Sequence, residues 1–310
     1  MESMTFREVT DQMVALYGLG KFEDALHLIE QHIDSFPEES ARMVFWRMCL
    51  LSLTGRSGDV LSVFKQGLDA GLWWHKELFT DPDLNAVRDL PEFQRLLEIS
   101  QAKYEKAQGK IERDYTILVP ELPSSGKYPL LITLHGRNGN KESDLVQWEL
   151  ARQRGWLVLS AQSTQPVFKG AYHWDNSSRG LEDLLFYCEQ VLQKYEIDPQ
   201  RTIIAGFSQG SGMAIYTALR GAIPVRGFIG IGTWWADPNE LTGGRTDVRG
   251  YFITGEKDHT LDRAREIQGV LRKNNIKFAE EVHPDIGHEF SHDFGQSFDK
   301  AIDFIFQERE

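Results

Sequence analysis

Residues 202–215, TIIAGFSQGSGMAI, constrain the fold more than any other stretch of the chain. An apolar run leads into Gly206-Phe207-Ser208-Gln209-Gly210, and a helix-like segment follows. A G-x-S-x-G between a strand and a helix puts the serine in a sharp, strained turn with its hydroxyl above the sheet edge. Gly206 and Gly210 lack Cβ, so strand and helix can pass close on either side. The same turn places free N–H groups of the helix start beside the hydroxyl, where they can meet a developing negative charge. Ser208 is therefore the candidate nucleophile, set against a glycine-rich loop that merely contains a serine.

The chain after residue 108 alternates strand and helix. Strands are expected at 115–120, 130–134, 156–160, 203–207, 227–232, 251–255 and 278–282, with a turn at 122–126. Helices are expected at 142–154, 180–195, 209–219, 261–274 and 294–306. This alternation means a mostly parallel sheet flanked by helices, an α/β class, with any site at the carboxyl ends of the strands.

The first third reads differently. Met13, Leu16, Tyr17 and then Ala25, Leu26, Ile29, Ile33 recur at helical spacing. Gly18 and Gly20 break the pattern, and Pro37 is expected to end the second helix. A further helix is expected over 89–107. Lys21 to Leu26 resembles the second helix of a tetratricopeptide repeat, with a weaker echo at Gly58 to Phe64. Residues 1–107 are thus expected to be an all-α domain of helical hairpins, either a plain bundle or a repeat-type surface for a protein partner or a second copy. The charged stretch Gln101–Arg113 marks the boundary with a catalytic domain over 108–310. The helical domain holds many large apolar residues, among them Phe45, Trp46, Phe64, Trp73, Trp74, Phe79 and Phe93. About 100 residues cannot hide all of these unaided, so the domain is expected to pack on further surface, that of the catalytic domain.

Bulk composition excludes several function classes. A net charge of -12 over 310 residues opposes nucleic acid or anionic membrane as the main partner. The start of the chain carries acids early and lacks the apolar core of a secretory signal. No stretch approaches the roughly 18 apolar residues of a membrane span, so a cytoplasmic location is expected. The two cysteines, Cys49 and Cys188, are far apart and suggest neither a disulfide framework nor a thiolate metal site. Cys188 falls on the buried side of its helix. No metal cluster, G-x-G-x-x-G or P-loop pattern is visible, so no cofactor is implied.

Four pieces follow in order, each after an expected strand: His135-Gly136, Gly206 to Gly210, Gly255-Glu256-Lys257-Asp258 and Gly287-His288-Glu289-Phe290. With these, residues 112–310 resemble the α/β-hydrolase superfamily, in its carboxylesterase/phospholipase and dienelactone-hydrolase-like branch. A serine hydroxyl is a weak nucleophile until a base takes its proton, and the base needs an orienting carboxylate. The family order is serine, acid, histidine, which Ser208, Asp258 and His288 obey. Asp237 is the alternative acid; His259, His283 and His292 are the alternative bases. One oxyanion donor is expected from the backbone of Gln209. The resemblance implies that the other comes from the residue after His-Gly, here Arg137, where relatives often carry a small residue. The Arg137 side chain then either meets an acidic substrate group or pairs locally, and His135 braces the loop. Tyr172, Trp174 and Trp234 are expected to form an aromatic wall for substrate. Trp148 and Trp235 lie in or near the same loops, and Trp234 and Trp235 could equally pack against the helical domain.

The resemblance implies a serine hydrolase acting on a small-molecule ester, with carboxylesterase first. A peptidase or thioesterase on the same fold is the alternative, as is a scaffold that binds partners through the helical domain.

Overall fold

The computed structural model describes residues 4–120 and 126–307, and all but the last residue of the turn expected at 122–126 lies outside them. The described chain falls into two compact units. One comprises the chain up to Ile111 together with Pro166–Ala171; the other comprises Glu112–Gln165 and the chain from Tyr172 onward.

The helical unit contains α1 (Phe6–Gly18), α2 (Phe22–His32), α3 (Ser40–Leu53), α4 (Ser57–Asp69) and α5 (Pro91–Gln108). Thr5 caps α1 in a reciprocal box with Glu8, which satisfies two otherwise orphaned donors. Gly20, at φ 70°, turns the chain from α1 into α2. The helix α2 stops at His32, short of Pro37, which instead opens the single turn that leads into α3. Proline lacks only an N–H that a first turn leaves unpaired anyway, so it starts a helix here rather than ending one.

This unit's core is closed by residues distant in sequence. After Gln165 the chain leaves the second unit and forms a small hairpin, β4 (Pro166–Phe168) and β5 (Ala171–Tyr172). Its residues Val167, Phe168 and Ala171 belong to the core that contains Trp74, Phe64 and Phe79. Trp74 and Phe168 form a β-bridge, and the His75 N–H donates to the Val167 carbonyl at 2.7 Å. The Arg42 guanidinium lies 5.5 Å from the Phe168 ring centroid. The excess of apolar residues in the first third is thus met partly by this insertion, whose short runs carried no helical signal. The base of the excursion is pinned within the second unit, where the His173 N–H donates to the Gln165 carbonyl at 2.9 Å.

The second unit is built on a seven-stranded sheet of order β1-β3-β2-β6-β7-β8-β9. The strands are β1 (Tyr115–Leu118), β2 (Tyr128–Leu134), β3 (Leu157–Ala161), β6 (Ile197–Phe207), β7 (Gly227–Ile231), β8 (Arg249–Gly255) and β9 (Lys277–His283). Only β1 runs antiparallel to its neighbour; the other pairs are parallel. The helices are α6 (Leu145–Gln153), α7 (Ser177–Lys194), α8 (Gln209–Arg220), α9 (Leu261–Lys273) and α10 (Phe294–Phe306). Alternate residues of each strand serve opposite faces. Ile132, Ile204, Phe228 and Phe252 pack with α7, α8 and α9. Leu131, Ile203, Ile229 and Ile253 pack with α6 and α10. Cover on both faces explains why the central strands read as continuous apolar runs. Cys188 is buried in the first of these layers, and burial pushes its thiol up to about 12.

If Phe168 completes the helical unit's core, Phe168→Ala should destabilise that unit by about 3 kcal/mol, at the lower end for a buried phenylalanine. Hydrogen exchange should then quicken in α3 and α4 and stay unchanged in β6 and β7. Unaltered exchange in α3 and α4 would refute the role given to the insertion.

Candidate active site

The strand β6 runs straight into Ser208, which has φ 53° and ψ −120°, and α8 begins at the next residue. For a non-glycine residue this is strained backbone that surrounding structure must hold. The Ser208 N–H donates to the Ile231 carbonyl at 2.8 Å, and the Ser208 carbonyl accepts from the Trp234 N–H at 3.2 Å. A Cβ on Gly206 would sit 2.3 Å from the Gly210 carbonyl carbon, and one on Gly210 would sit 2.4 Å from the carbonyl oxygens of Leu134 and His135. No shift of a flexible side chain relieves such backbone contacts, so both positions of the turn require glycine.

His288 comes from the loop between β9 and α10, Asp258 from the turn after β8. The Ser208 Oγ and His288 Nε2 lie 3.0 Å apart, and His288 Nδ1 lies 2.9 and 3.0 Å from the two oxygens of Asp258. The structure therefore brings the three expected residues into one hydrogen-bonded row. Asp258 is almost wholly buried, and its Oδ1 also accepts from the N–H and hydroxyl of Thr260 at 2.7 and 2.8 Å. Burial pushes the Asp258 carboxyl up, but the bonds from His288 and Thr260 outweigh it and hold it below the ordinary carboxylate value.

The other candidates are employed elsewhere. Asp237 caps the short turn Pro238–Leu241 by accepting from the Asn239 N–H at 2.9 Å. His283 pairs through Nε2 with the Ser297 hydroxyl at 3.1 Å. His292 is exposed at the approach to α10. His259, next to Asp258, is 76% exposed in its side chain; its ring centroid lies 4.5 Å from that of His288.

Several further residues support the row. Phe207 places its ring 4.7 Å from the His288 ring and stacks on Phe290 at 5.3 Å. A Cβ on Gly232 would meet Asp258 Oδ2 at 2.9 Å and His288 Nδ1 at 3.0 Å. One on Gly255 would strike the carbonyl of Ile286 at 2.2 Å, so the histidine loop crosses β8 in contact with its backbone. Gly232 and Thr260 are ordinary turn residues by sequence, and only the fold shows what they touch.

The loop after β2 lies against the elbow, since a Cβ on Gly136 would be 3.4 Å from the Ser208 Cβ. The backbone N–H groups of Arg137 and Gln209 have no hydrogen-bond partner among the described residues. The loop is fixed from behind: the Asn138 N–H donates to the Tyr172 carbonyl and the Tyr172 N–H to the Gly139 carbonyl, both at 2.9 Å. His135 is buried, with Nδ1 2.8 Å from the Gly136 carbonyl and Nε2 accepting from the Ser163 N–H at 3.2 Å. It braces the loop as the sequence suggests. The Arg137 guanidinium pairs with Asp175 at 2.6 Å, and Asp175 also accepts from the Gln209 side-chain amide at 2.6 Å. Burial raises the Asp175 carboxyl, but His173, Arg137 and Gln209 together bring it well below the usual range.

The aromatic wall needs correction at one position. Trp174 is fully buried; its indole donates to the His135 carbonyl at 2.9 Å and its own N–H donates to Gln209 Oε1 at 3.0 Å. It supports the loop from within and presents no face to a substrate. Trp148 and Trp235 are buried as well, against Phe290 and Phe294 and against Gly212 respectively. Tyr172 and Trp234 are half-buried and keep some surface. A separate apolar cavity of about 560 Å³, lined by Leu130, Leu185, Leu192 and Ile223 among others, contains none of the row's residues. It lies toward the amino-terminal ends of β2 and β6, away from the strand ends where Ser208 sits.

Two family models match the chain. Residues 5–108 match an A/B hydrolase-like N-terminal domain, and residues 173–306 match the Phospholipase/Carboxylesterase family. Among solved structures, an uncharacterized protein from Bacillus cereus ATCC 10987 is 24% identical, with 99% of this chain and 100% of that chain covered and a TM-score of 0.54. The esterase PE8 is 18% identical over 63% of this chain and 98% of its own, with a TM-score of 0.54. A Staphylococcus aureus fluorophosphonate-binding serine hydrolase is 14% identical over 63% of this chain and 93% of its own, with a TM-score of 0.52. At these identities the likeness is one of fold. No curated protein matches the chain.

An ordinary histidine takes up its proton near pH 6.5, whereas burial, reinforced by the nearby His173, pushes His135 down to about 4 despite its bond to the Gly136 carbonyl. Between those values the unfolded chain binds a proton that the folded chain refuses. Stability from this residue is therefore full above about pH 6.5 and falls as pH drops toward 4, by about 3 kcal/mol in all. His135→Gln should flatten that part of the plot of unfolding free energy against pH. An acid slope equal to that of the unaltered protein would show that His135 is not the group responsible.

Proposed function

The chain belongs to the α/β-hydrolase superfamily, and on that premise we propose that it is a serine hydrolase of the carboxylesterase type. The observation that carries this reading is the unbroken row from Ser208 Oγ through His288 to the buried Asp258, with steps of 3.0 and 2.9 Å. It is built on a serine held at φ 53°.

Each group has a role that its surroundings support. Asp258, kept ionised by His288 and Thr260, holds the proton of His288 on Nδ1, which leaves Nε2 as an acceptor. As Ser208 Oγ attacks the ester carbonyl carbon, its proton passes to His288 Nε2. The negative charge then forming on the carbonyl oxygen is met by the N–H groups of Gln209 and Arg137. Asp258 stabilises the imidazolium, which next gives its proton to the departing alcohol oxygen. Water then attacks the acyl-enzyme by the same route in reverse order, releasing the acid and restoring Ser208.

The donors act as a pre-set pair. The Arg137 amide is positioned by a loop fixed at His135, Asn138 and Gly139, and the Gln209 amide by the start of α8. Fixed donors need no rearrangement as charge develops, which is where such sites lower the barrier. Tyr172 and Trp234 are the side chains that would line the approach of the acyl or alcohol group, and the substrate is a small-molecule ester.

Ser208→Ala should remove labelling by a fluorophosphonate probe and lower the hydrolysis of p-nitrophenyl acetate by at least about 10⁴-fold, with the thermal unfolding temperature little changed. Near-normal turnover in that variant would sink the assignment. Asp258→Asn should lower kcat by about 10³- to 10⁴-fold, because an amide no longer holds the correct tautomer. Asp237→Asn should leave the rate unchanged, and a comparable loss there would move the acid to the end of β7.

A further inference from the structure

His259 has no part in the row described above, yet it stands over it. Its Nδ1 lies 3.9 Å from Asp258 Oδ1, the same oxygen that lies 2.9 Å from His288 Nδ1. One ligand atom from each of Asp258, His259 and His288 falls within 4.8 Å of the others. The His259 side chain is 76% exposed, so it can turn without disturbing the core. We propose that Asp258, His259 and His288 form a site for a borderline-soft divalent cation, Zn²⁺ above all, whose occupation switches the enzyme off.

The donor set fits this class of ion. Two imidazoles and one carboxylate, with a water in the fourth place, make a tetrahedral zinc shell. Bonds of about 2.0–2.1 Å put tetrahedral ligand atoms about 3.3 Å apart. The His288 to Asp258 separation is already near that value, and rotation of the exposed His259 closes the rest. Thr260 supplies the outer support that such sites use, since its N–H and hydroxyl fix the carboxylate. The positive end of α9 is offset by Asp258 itself and by Asp262 in the first turn. Hard cations that prefer six or more oxygen ligands are poorly matched to two imidazoles.

The consequence for the reaction follows from the proton. Neutral His288 carries one proton, on Nδ1 beside Asp258, and its Nε2 lone pair faces Ser208. An ion bound at Nδ1 takes that nitrogen's lone pair, so the ring's single proton moves to Nε2. No proton is gained or lost by the ring. Nε2 then donates toward Ser208 Oγ and cannot accept its proton, and the base is lost while the fold stays intact. This kinetic consequence rests on the serine-hydrolase reading; the binding of the ion does not.

The test uses the full chain in chelator-free buffer. Zinc affinity is read by competition with a chromophoric chelator, both in the unaltered protein and in Ser208→Ala. Both should bind one Zn²⁺ alike. Zinc should suppress p-nitrophenyl acetate hydrolysis by the unaltered protein with the same concentration dependence, and Mg²⁺ at equal concentration should not. His259→Gln should keep the zinc-free rate while its zinc affinity and its sensitivity to zinc fall at least about 10-fold, as expected when a ligand is lost. Absence of zinc binding to Ser208→Ala, or inhibition of His259→Gln at unchanged zinc concentration, overturns the proposal. A protein that binds zinc through His259 but neither turns over esters nor reacts with a fluorophosphonate would instead overturn the hydrolase reading and leave the metal site standing.

Discussion

The close passage of β6 and α8 at Ser208 is the constraint on which the second unit depends. Gly206 and Gly210 press their Cα atoms on backbone from opposite sides, one against the helix start and one against the end of β2. Because α8 lies directly on the carboxyl end of β2, the loop that follows β2 has to pass beside the serine. That one contact holds the loop carrying Arg137 beside the turn that carries Ser208 and Gln209. Ser208 is also tied to the next strand, through its N–H to Ile231 and its carbonyl to Trp234. A residue at φ 53° costs of order 1–3 kcal/mol, and these fixed neighbours supply the restraint.

His288 lies 80 residues from Ser208 in sequence and 30 from Asp258, yet the three side chains meet. Neighbouring parallel strands all end at one edge, so successive loops converge there. Convergence alone leaves side chains several ångströms apart. Gly232, at φ 49°, removes the bulk that would part the carboxylate from the imidazole, and Gly255 lets the 286–287 backbone cross β8 in contact. Burying a carboxylate is unfavourable unless its lone pairs are satisfied. Thr260 and His288 satisfy Asp258.

The sequence made the architecture legible because strands buried on both faces leave unbroken apolar runs and the helices between them keep one apolar side. The elbow was legible for a different reason: only glycine fits at Gly206 and Gly210, so the geometry is written in residue identity. Asp258 and His288, expected from the family order of serine, acid and histidine, lie in one hydrogen-bonded row with Ser208, whereas Asp237 and His283 bond elsewhere. Trp174 departs from the expectation that a loop tryptophan offers exposed aromatic surface. Its indole instead satisfies the buried His135 carbonyl, and no local pattern encodes a partner 39 residues away. The insertion at Pro166–Ala171 is not legible in the sequence on the same ground. Three apolar residues in a short loop carry no period, and their partners near Trp74 lie some ninety residues earlier in the chain.

Arg137 shows how an unusual residue can be absorbed by its surroundings without changing what its backbone does. A free guanidinium beside the nucleophile would favour acidic esters. Here the guanidinium faces Asp175, whose other bonds come from His173 and the Gln209 side chain. The positive charge is therefore largely spent within the loop, and a substrate carboxylate would have to displace an ion pair to use it. The same carboxylate links Arg137 and Gln209, the two residues proposed to supply the oxyanion donors. Loss of Asp175 would thus free a cation and loosen both donors together. On the proposed mechanism that separates two effects: an uncharged ester would feel only the looser donors and lose kcat, whereas an acidic ester would also gain a binding partner and show a lower KM. Asp175→Asn assayed on a neutral ester and on its carboxylate-bearing analogue distinguishes them, and equal changes in KM for both substrates would show that the guanidinium stays out of reach.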